Sequence, residues 1–427
     1  MSLIVKIGKK GKAMAKRVLS PVETHHISYT RRIERVSTDR RILAMTFDDG
    51  PADLPCSPDL FDGRSLTDVI LDILEEYGAR GTFDVVGDTS DNYPDKPGAP
   101  GSAAWGGTRY DHYPDFGRDA SGGAVHNDRL IRRILDGGHQ ITNHGYRHII
   151  FGKKPFVYGK RVFLGSFDGA LEDISHLHRY ISDKYGYEIT MGRPPHYVDR
   201  VQGGLTSYDV YDAMGYQYMA ASFDGAGWLP ATAGDAQAAF EEEVRAMTEP
   251  MKAALEKDPD FFCGQIVFQK DGCNMARRTP VAVGLRRQLE ILASYGYTVV
   301  TVDELMKESP FADVGRDDPD FEKFEALQRS RAVVFSDNRL RPDVPMKNGE
   351  LAMLLCPKER LLEARRRASS DKKATLYRCA AEICVQEGLL PAGIWEDGVV
   401  TDLPEELFDR TDDHTRRSVL RAYRADL

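Results

Sequence analysis

The chain has 427 residues, which is long enough for two to three domains of about 150 residues each. Its 41% hydrophobic and 29% charged residues are typical of a folded globular protein and exclude a disordered or fibrous chain. The formal net charge of -9 argues against a polyanion-binding protein, so we expect no nucleic-acid partner, although the first 17 residues carry six Lys or Arg and no acid.

The sequence shows no apolar run near the ~18 residues of a membrane span, and no hydrophobic segment follows the basic start. We therefore expect neither a transmembrane segment nor a signal peptide in the sequence as given. The location stays open: extracellular or in the cell envelope if a leader was removed, and cytoplasmic otherwise. The six cysteines form no Cys-x-x-Cys pair and no disulfide scaffold, so they do not decide the compartment.

From about residue 40 to 305, short apolar strands alternate with amphipathic helices, which is typical of a parallel β/α architecture. Apolar spacing predicts a helix after the N-cap Ser65, a second one that runs from Asn127 to the Gly137-Gly138 stop, and a later one around 285–295. The predicted strands cover 41–47, 82–86, 265–269 and 297–302.

One segment, 87–125, is rich in Gly, Pro and Asp and is too long for an ordinary connection. Its interspersed aromatic residues favour an ordered functional loop over a disordered one. After Ser309 the strand and helix alternation ends and short helical segments follow. We therefore divide the chain into a basic N-terminal extension (1–37), a β/α domain (38–308) and a small helical C-terminal domain (309–427).

The first predicted strand ends in Thr46-Phe47-Asp48-Asp49-Gly50-Pro51. This puts two adjacent carboxylates at the carboxyl end of a strand, where β/α barrels assemble their active sites. Neighbouring side chains on an extended backbone point opposite ways, so two different roles are available. The simpler alternative is a turn, because Asp-Gly-Pro commonly ends a strand.

His144 and His148 are four residues apart, and on a helical turn both imidazoles would face the same way and could clamp one divalent ion. Two histidines at this spacing are by themselves more often surface or core residues. With an aspartate from the strand end they complete an Asp-His-His set that leaves positions for water and substrate.

These segments resemble the motifs of the NodB-type polysaccharide deacetylases, metal-dependent N- and O-deacetylases of chitin, peptidoglycan and xylan. The resemblance covers about residues 38–305 and implies the distorted (β/α)7 barrel of that family. It implies that Asp48 is the general base and that Asp49, His144 and His148 bind the metal.

Two further segments resemble later motifs of the family. Arg193-Pro194-Pro195 is similar to the third motif, whose Arg positions the base. Asp224-Gly225-Ala226-Gly227-Trp228 is similar to the fourth, with an Asp that tunes the catalytic acid and a Trp that lines the acetyl pocket. His196 is inserted before Tyr197, where the family has an aromatic residue directly, and we expect Trp228, Tyr197 and His196 to bind substrate.

The fifth motif departs from the family pattern, because Gln265 to Gly272 places Lys270 where the catalytic His belongs. As a cation, Lys270 can stabilise an oxyanion, and desolvation can lower its pKa toward that of a proton donor, although Asp224 would oppose this lowering. We therefore count Lys270 with Asp48, Arg193 and Asp224 as catalytic residues, and keep His196 as an alternative proton donor.

Simpler roles are expected for four other side chains. His139 is interpreted as a hydrogen-bonded core histidine, His112 and His126 as solvated loop residues, and Cys273 as a small buried hydrophobe.

The C-terminal part resembles a single S-layer homology repeat over about residues 311–355, beginning at Phe311-Ala312-Asp313-Val314. Such a repeat implies attachment to the cell wall. The chain has Lys347-Asn348-Gly349 where these repeats carry Thr-Arg, and a packing module that caps the barrel is the alternative.

We therefore expect a metal-dependent hydrolase that removes N-acetyl or O-acetyl groups from a carbohydrate such as peptidoglycan or chitin-like oligomers. It would use one divalent ion, Zn²⁺ first, with Co²⁺ or Mn²⁺ as alternatives. Two alternatives stay open: a non-catalytic metal-containing carbohydrate-binding protein, and a related amidohydrolase for a small C–N substrate. The 87–125 insertion would favour the latter by closing the groove into a pocket.

Overall fold

The computed structural model describes residues 30–53, 56, 58–88, 103–105, 108–110, 122–152, 163–199, 201, 206–229, 231–271, 280–329, 337–357, 360, 363–364, 367, 375–394, 396–411 and 413–424. His112, Cys273 and most of the 87–125 insertion lie outside these residues, so their predicted roles stay predictions.

The strands, in chain order, are β1 (Arg32–Ile33), β2 (Ile42–Asp48), β3 (Thr82–Val85), β4 (Ala103–Trp105), β5 (Thr108–Tyr110), β6 (Gln140–Asn143), β7 (Ile150–Phe151), β8 (Phe163–Leu164), β9 (Met191–Gly192), β10 (Gln217–Met219), β11 (Phe223–Asp224), β12 (Ile266–Lys270) and β13 (Thr298–Val300). Nine of them form one sheet in the spatial order β1-β10-β9-β6-β3-β2-β12-β11, with β13 beside the first half of β2. Every strand pair in this sheet is parallel.

The helices, in chain order, are α1 (Pro58–Phe61), α2 (Leu66–Glu76), α3 (Asp128–Asp136), α4 (Phe167–Tyr185), α5 (Ser207–Met214), α6 (Ala236–Lys257), α7 (Pro280–Ser294), α8 (Val302–Leu305), α9 (Phe321–Arg329), α10 (Asn348–Leu355), α11 (Leu376–Gln386) and α12 (Arg416–Ala422). Within the described ranges, no helix is both long and apolar enough to cross a bilayer.

The central strand β2 shows how the sheet is covered on both faces. All seven of its residues are buried, as expected for a parallel strand between two layers. Leu43, Met45 and Phe47 belong to the large core between the sheet and the outer helices, whereas Ile42 and Ala44 join a second cluster inside the curve of the sheet. A curled parallel sheet with helices outside and a filled interior confirms the predicted fold class, a distorted (β/α)7 barrel.

Local sequence signals explain the elements that position the site. The Ser65 hydroxyl accepts a hydrogen bond from the Asp68 N–H and caps α2, as predicted. Gly78 takes a left-handed backbone (φ +60°) directly after this helix, which a side chain would disfavour. Helix α3 begins at Asp128, one residue after the predicted start at Asn127, whose side chain makes no capping bond.

Strand β1 lies in the segment that we assigned to the N-terminal extension. Its residues Arg32 and Ile33 pair in register with Tyr218 and Met219 of β10, and Ile33 is fully buried. The sheet therefore begins before residue 38. The sequence missed this strand because two residues are too few to show a periodic pattern.

The part of the chain after Phe311 has a hydrophobic core of its own, formed mainly by α9 to α12. It contacts the sheet through β1 and the residues that follow it. A parallel bridge joins Arg32 to Asp337, the Asn338 side chain donates to the Arg35 carbonyl over 2.5 Å, and the Ser37 N–H donates to the Phe311 carbonyl over 2.7 Å. The mainly helical character matches the prediction, while the S-layer resemblance stays a prediction.

Candidate metal centre and active site

The predicted site residues come together because they end neighbouring parallel strands. Asp48 ends β2 and Asp49 follows it, His144 follows β6, and Lys270 ends β12. Since β6, β3, β2 and β12 lie side by side in this order, their carboxyl ends meet at one edge of the barrel.

Three donor atoms converge at this edge. Asp49 Oδ1 lies 3.1 Å from His144 Nε2 and 3.2 Å from His148 Nε2, and the three side chains are at most 7% exposed. Asp49 Oδ1 and His144 Nε2 are buried, and within the described residues neither makes a hydrogen bond of regular geometry. Burying polar atoms in this way is costly, and a divalent ion would satisfy them. One carboxylate and two imidazoles also form a common zinc donor set, so these residues fit the predicted ion.

The two histidines do not lie on a helical turn, which corrects the prediction. Strand β6 ends at Asn143, and the chain turns back through Gly145 (φ +91°) and His148 (φ +53°) before β7. The Asp173 carboxylate of α4 holds this turn by accepting a hydrogen bond from the Tyr146 N–H over 2.9 Å. A loop therefore brings the two rings to a centroid distance of 5.1 Å.

Asp48 and Asp49 also differ from the prediction that they point opposite ways. His144 Nε2 lies 3.1 Å from Asp49 Oδ1 and 3.9 Å from Asp48 Oδ2, so both carboxylates face the same ring. The reason is the positive φ of Asp49 (+76°), which takes it out of the extended conformation.

Strained backbone concentrates at this site. Of the seven described non-glycine residues with positive φ, five lie here: Asp49, His148, His196, Tyr197 and Ala226. Such conformations cost about 1–3 kcal/mol each and persist where the surrounding structure holds them, often at functional sites.

Arg193 contacts Asp48, as the family resemblance implied. The fully buried Arg193 Nη1 donates to Asp48 Oδ1 over 2.5 Å, and Nη2 donates to the Thr46 hydroxyl over 3.1 Å. Burial raises the pKa of Asp48, and the neighbouring Arg193 and His144 only partly oppose this. Burial acts on Asp49 in the same direction, but Lys270 and His148 outweigh it and hold its pKa well below its usual range. The two adjacent carboxylates therefore have different chemistry, as a base and a ligand require.

Sequence reasoning missed Asp84, a fully buried carboxylate on β3. Its Oδ2 lies 2.7 Å from His144 Nδ1, and it stands in register with Asp48 on the neighbouring strand. Burial lowers the pKa of His144, but Asp84 and Asp48 outweigh this and raise it to about 10. One sequence feature could have identified Asp84: it is an ionisable residue inside the apolar strand Thr82-Phe83-Asp84-Val85, which follows the strand that carries the aspartate pair.

Lys270 points into the centre. Its Nζ donates to Asp49 Oδ2 over 2.5 Å, and its side chain is 13% exposed. Asp224, on the adjacent β11, accepts hydrogen bonds from the Ala226 N–H over 2.8 Å and from Trp228 Nε1 over 3.0 Å. Burial raises the pKa of Asp224, and the charge of Lys270 partly opposes this. Trp228 is thereby fixed beside the centre.

His196 and Tyr197 lie next to the predicted ligands and base. They belong to a single turn, Pro195–Tyr197, in which both have positive φ, so a left-handed backbone accommodates the inserted residue. The His196 ring lies 5.1 Å from that of His148, and the Tyr197 ring lies 5.3 Å from the Arg193 guanidinium.

Two histidines outside the centre behave as expected. His139 accepts a hydrogen bond from the Gly81 N–H over 2.9 Å, and burial lowers its pKa to about 4, which confirms a core role. His126 is partly exposed and lies 3.2 Å from Asp88 Oδ1.

Comparison with known proteins gives matches over the barrel. Residues 35–218 match the profile of a family described as polysaccharide deacetylase. The peptidoglycan-N-acetylglucosamine deacetylase PgdA of Listeria monocytogenes is 24% identical over 303 residues, which cover 70% of this chain and 47% of that protein. The chain thus spans about half the length of the curated relatives it matches.

Solved structures show a more distant likeness. The chitin deacetylase of Colletotrichum lindemuthianum is 19% identical, with a TM-score of 0.43 over 67% of this chain and 95% of that one. A pseudoenzyme of the CE4 family from Bacillus anthracis is 13% identical, with a TM-score of 0.41 over 70% of this chain and 81% of that one. Residues 35–218 are therefore similar to a polysaccharide deacetylase domain, both by the family profile and by the curated relatives.

Proposed function

We propose that this protein is a metal-dependent hydrolase that removes acetyl groups from a carbohydrate, with N-acetylated peptidoglycan or chitin-like oligomers as the first substrates to test. The carrying observation is the buried Asp49, His144 and His148 donor set beside the Asp48–Arg193 pair. The curated relatives act on peptidoglycan N-acetylglucosamine according to their names, which supports this substrate class.

A single divalent ion, Zn²⁺ first and Co²⁺ or Mn²⁺ as alternatives, would be held by Asp49, His144 and His148. The electrostatics of the metal-free chain favour a cation at this position. The buried carboxylates Asp84 and Asp48 raise the pKa of His144 to about 10, so they already stabilise an additional positive charge there.

When bound, such an ion polarises an amide carbonyl and acidifies water. Asp48 is placed to accept a proton from the attacking water, because Arg193 holds its Oδ1 and leaves Oδ2 on the side of His144. Burial raises the pKa of Asp48 toward that of an effective general base. Lys270 supplies a positive charge for the oxyanion, and Lys270 or His196 would protonate the leaving amine.

The alternative of a non-catalytic metal-binding protein is also supported by one observation. Lys270 stands where the family carries its catalytic His, and its ammonium is bound to the carboxylate of Asp49. In this alternative, Lys270 stabilises the centre and gives no turnover. The small-substrate alternative depends on the 87–125 insertion and stays a prediction.

The test is acetate release from chitin oligomers, peptidoglycan fragments and acetyl-xylan, with Zn²⁺, Co²⁺ or Mn²⁺ added to the metal-free protein. We expect metal-dependent release that Asp48→Asn abolishes while the variant keeps its metal. Stoichiometric metal binding without release from any substrate, against a responsive control deacetylase, would favour the non-catalytic alternative.

We propose an extracellular or cell-envelope site of action, since peptidoglycan-type substrates lie there. Attachment to the wall through residues 311–355 is a separate proposal, which co-sedimentation of the intact protein with purified cell walls would test. A chain that stays in the supernatant under all conditions would leave the helical C-terminal part as a packing module.

A further inference from the structure

The Asp84 carboxylate is buried in the barrel interior, where an ionisable group is normally unfavourable. Its neighbours Phe83 and Val85 pack in the outer hydrophobic core, whereas Asp84 faces the barrel interior in register with Asp48 and Thr142. It is 0% exposed. Burying an ionisable group costs several kcal/mol unless hydrogen bonds or charges compensate. The contacts of its two oxygens therefore indicate what it does.

Each oxygen of Asp84 has a defined neighbour. The Thr142 hydroxyl donates to Oδ1 over 2.6 Å, which fixes the plane of the carboxylate. Oδ2 lies 2.7 Å from His144 Nδ1 but not in hydrogen-bond geometry, and the Arg193 carbonyl accepts the hydrogen bond of the same nitrogen over 2.8 Å. Both neighbours of Nδ1 are acceptors, so this nitrogen carries a proton.

The proton on Nδ1 determines what the opposite side of the ring can do. In the neutral form of the ring, which is the form that can bind an ion, a proton held at Nδ1 leaves the lone pair of His144 on Nε2. Nε2 is the atom that faces Asp49 Oδ1 at 3.1 Å. A carboxylate acting on the far nitrogen of a ligating histidine also raises the basicity of the ring.

A second metal ion bound by Asp84 does not explain the arrangement as well. Asp48, Asp84 and His144 do bring donor atoms within 4.8 Å of one another. However, the Arg193 guanidinium already contacts Asp48 Oδ1 at 2.5 Å, and the protonated Nδ1 offers no lone pair to an ion.

We propose that Asp84 is a positioning residue: its buried negative charge, 2.7 Å from His144 Nδ1, acts with the Arg193 carbonyl to keep the proton on that nitrogen, and it thereby strengthens the hold of the centre on a divalent ion. The inference rests on the metal site of the proposed function but not on deacetylation. Partners of this kind change metal affinity by about 10- to 100-fold. Metal binding would then depend on Asp84 as well as on the ligands Asp49, His144 and His148, although Asp84 itself does not contact the ion.

The test is the Zn²⁺ dissociation constant of the intact protein, measured by competition with a chelating indicator. We expect Asp84→Asn to raise this constant about 10- to 100-fold. Thr142→Val, which removes only the hydroxyl that holds Asp84 Oδ1, should raise it by a smaller factor. Asp209→Asn is the matched control, because this buried carboxylate caps α5 through Thr206 away from the centre and should leave the constant unchanged.

A merely structural role for Asp84 predicts a different result: a lower Tm for the metal-free variant with unchanged Zn²⁺ affinity. That result would overturn the proposal, as would equal affinities of the wild type and Asp84→Asn. If Asp84→Asn does not fold, an unchanged affinity of Thr142→Val would overturn it. Weakened affinity in these variants of a chain that releases no acetate would support the inference and count against deacetylation. A wild-type chain that binds no Zn²⁺ would overturn both.

Discussion

Lys270 and the predicted metal position share one carboxylate: Lys270 Nζ contacts Asp49 Oδ2 at 2.5 Å, while Asp49 Oδ1 faces His144 and His148. A fixed cation thus stands on the far side of a side chain that we assign as a ligand. It keeps Asp49 ionised, and it also repels a second positive charge nearby. Lys270 is therefore expected to lower metal affinity while supporting turnover.

Replacing Lys270 by Met should separate these two effects. We expect the Zn²⁺ dissociation constant to fall on the order of tenfold because a like charge is removed. Turnover should fall by about 10² to 10³, as when one oxyanion donor is lost. Lys252→Met, at an exposed position of α6, is the matched control and should change neither quantity. Weaker metal binding by Lys270→Met would contradict the repulsion argument.

Lys270→His should retain or raise turnover, because an imidazole has a pKa nearer the operating pH and Asp224 remains beside it. The measurement is kcat on the best acetylated oligosaccharide across a pH series. If Lys270→Ala is as active as the wild type and His196→Ala is inactive, the catalytic role belongs to His196.

The ligand assignment predicts which single variants lose the metal ion and which keep it. Asp49→Ala, His144→Ala and His148→Ala should each lose the stoichiometric ion, because each removes one of three convergent donor atoms. Asp48→Asn should keep the ion and lose turnover. Metal content after gel filtration, measured by inductively coupled plasma mass spectrometry, checks both. Full occupancy of His144→Ala would refute the assignment.

Removing only one partner of the Asp48–Arg193 ion pair should lower the free energy of unfolding substantially. Arg193→Met leaves a fully buried carboxylate without its cation, which typically destabilises a protein by about 3–5 kcal/mol. The double variant with Asp48→Asn should recover much of this loss, since it removes the unpaired charge. Urea unfolding of the four proteins in a double-mutant cycle gives the coupling. Simple additivity of the two single effects would show that the pair is not coupled.

Asp271 should make stability depend on pH. Burial raises its pKa to about 7 from an ordinary 3.8, with Asp49 adding to the effect. Between these values the native state binds more protons than the unfolded state, so the free energy of unfolding falls as pH rises through this window. Asp271→Asn, which keeps an acceptor for the Thr67 hydroxyl, should make this dependence smaller than in the wild type and be more stable than the wild type at about pH 8.

The measurement for Asp271 is urea unfolding of the metal-free protein at about pH 5 and pH 8. Glu256→Gln, at an exposed position of α6, controls for the loss of one negative charge and should follow the wild type. A wild-type stability that is the same at both pH values would contradict the expectation.

Much of the barrel could be predicted from the sequence because its main elements carry local signals. Helix α2 has a cap, an apolar stripe and a terminal glycine, and strand β2 is a continuous apolar run. The aspartate pair could be named because it lies at the carboxyl end of a predicted strand, whereas Arg193, Asp224 and Lys270 were named from the family resemblance.

The missed features depend on contacts that no local pattern contains. The meeting of His144 and His148 depends on a left-handed backbone and on Asp173 of a distant helix, so a four-residue spacing suggested the wrong geometry. Asp84 acts across strands, and only the register of β3 and β6 brings it to His144. Spacing within one segment cannot report such pairings.

The bridge between Arg32 and Asp337 also matters for how the molecule behaves in solution. Strand β1 is the last strand at one side of the sheet, and its outer edge would otherwise offer unpaired backbone groups to any extended chain. The Asn338 side chain and the Phe311 carbonyl bind the residues just after β1. The helical C-terminal part therefore covers the edge strand β1. We expect a barrel expressed without this part to form intermolecular strand pairs at β1 and to aggregate.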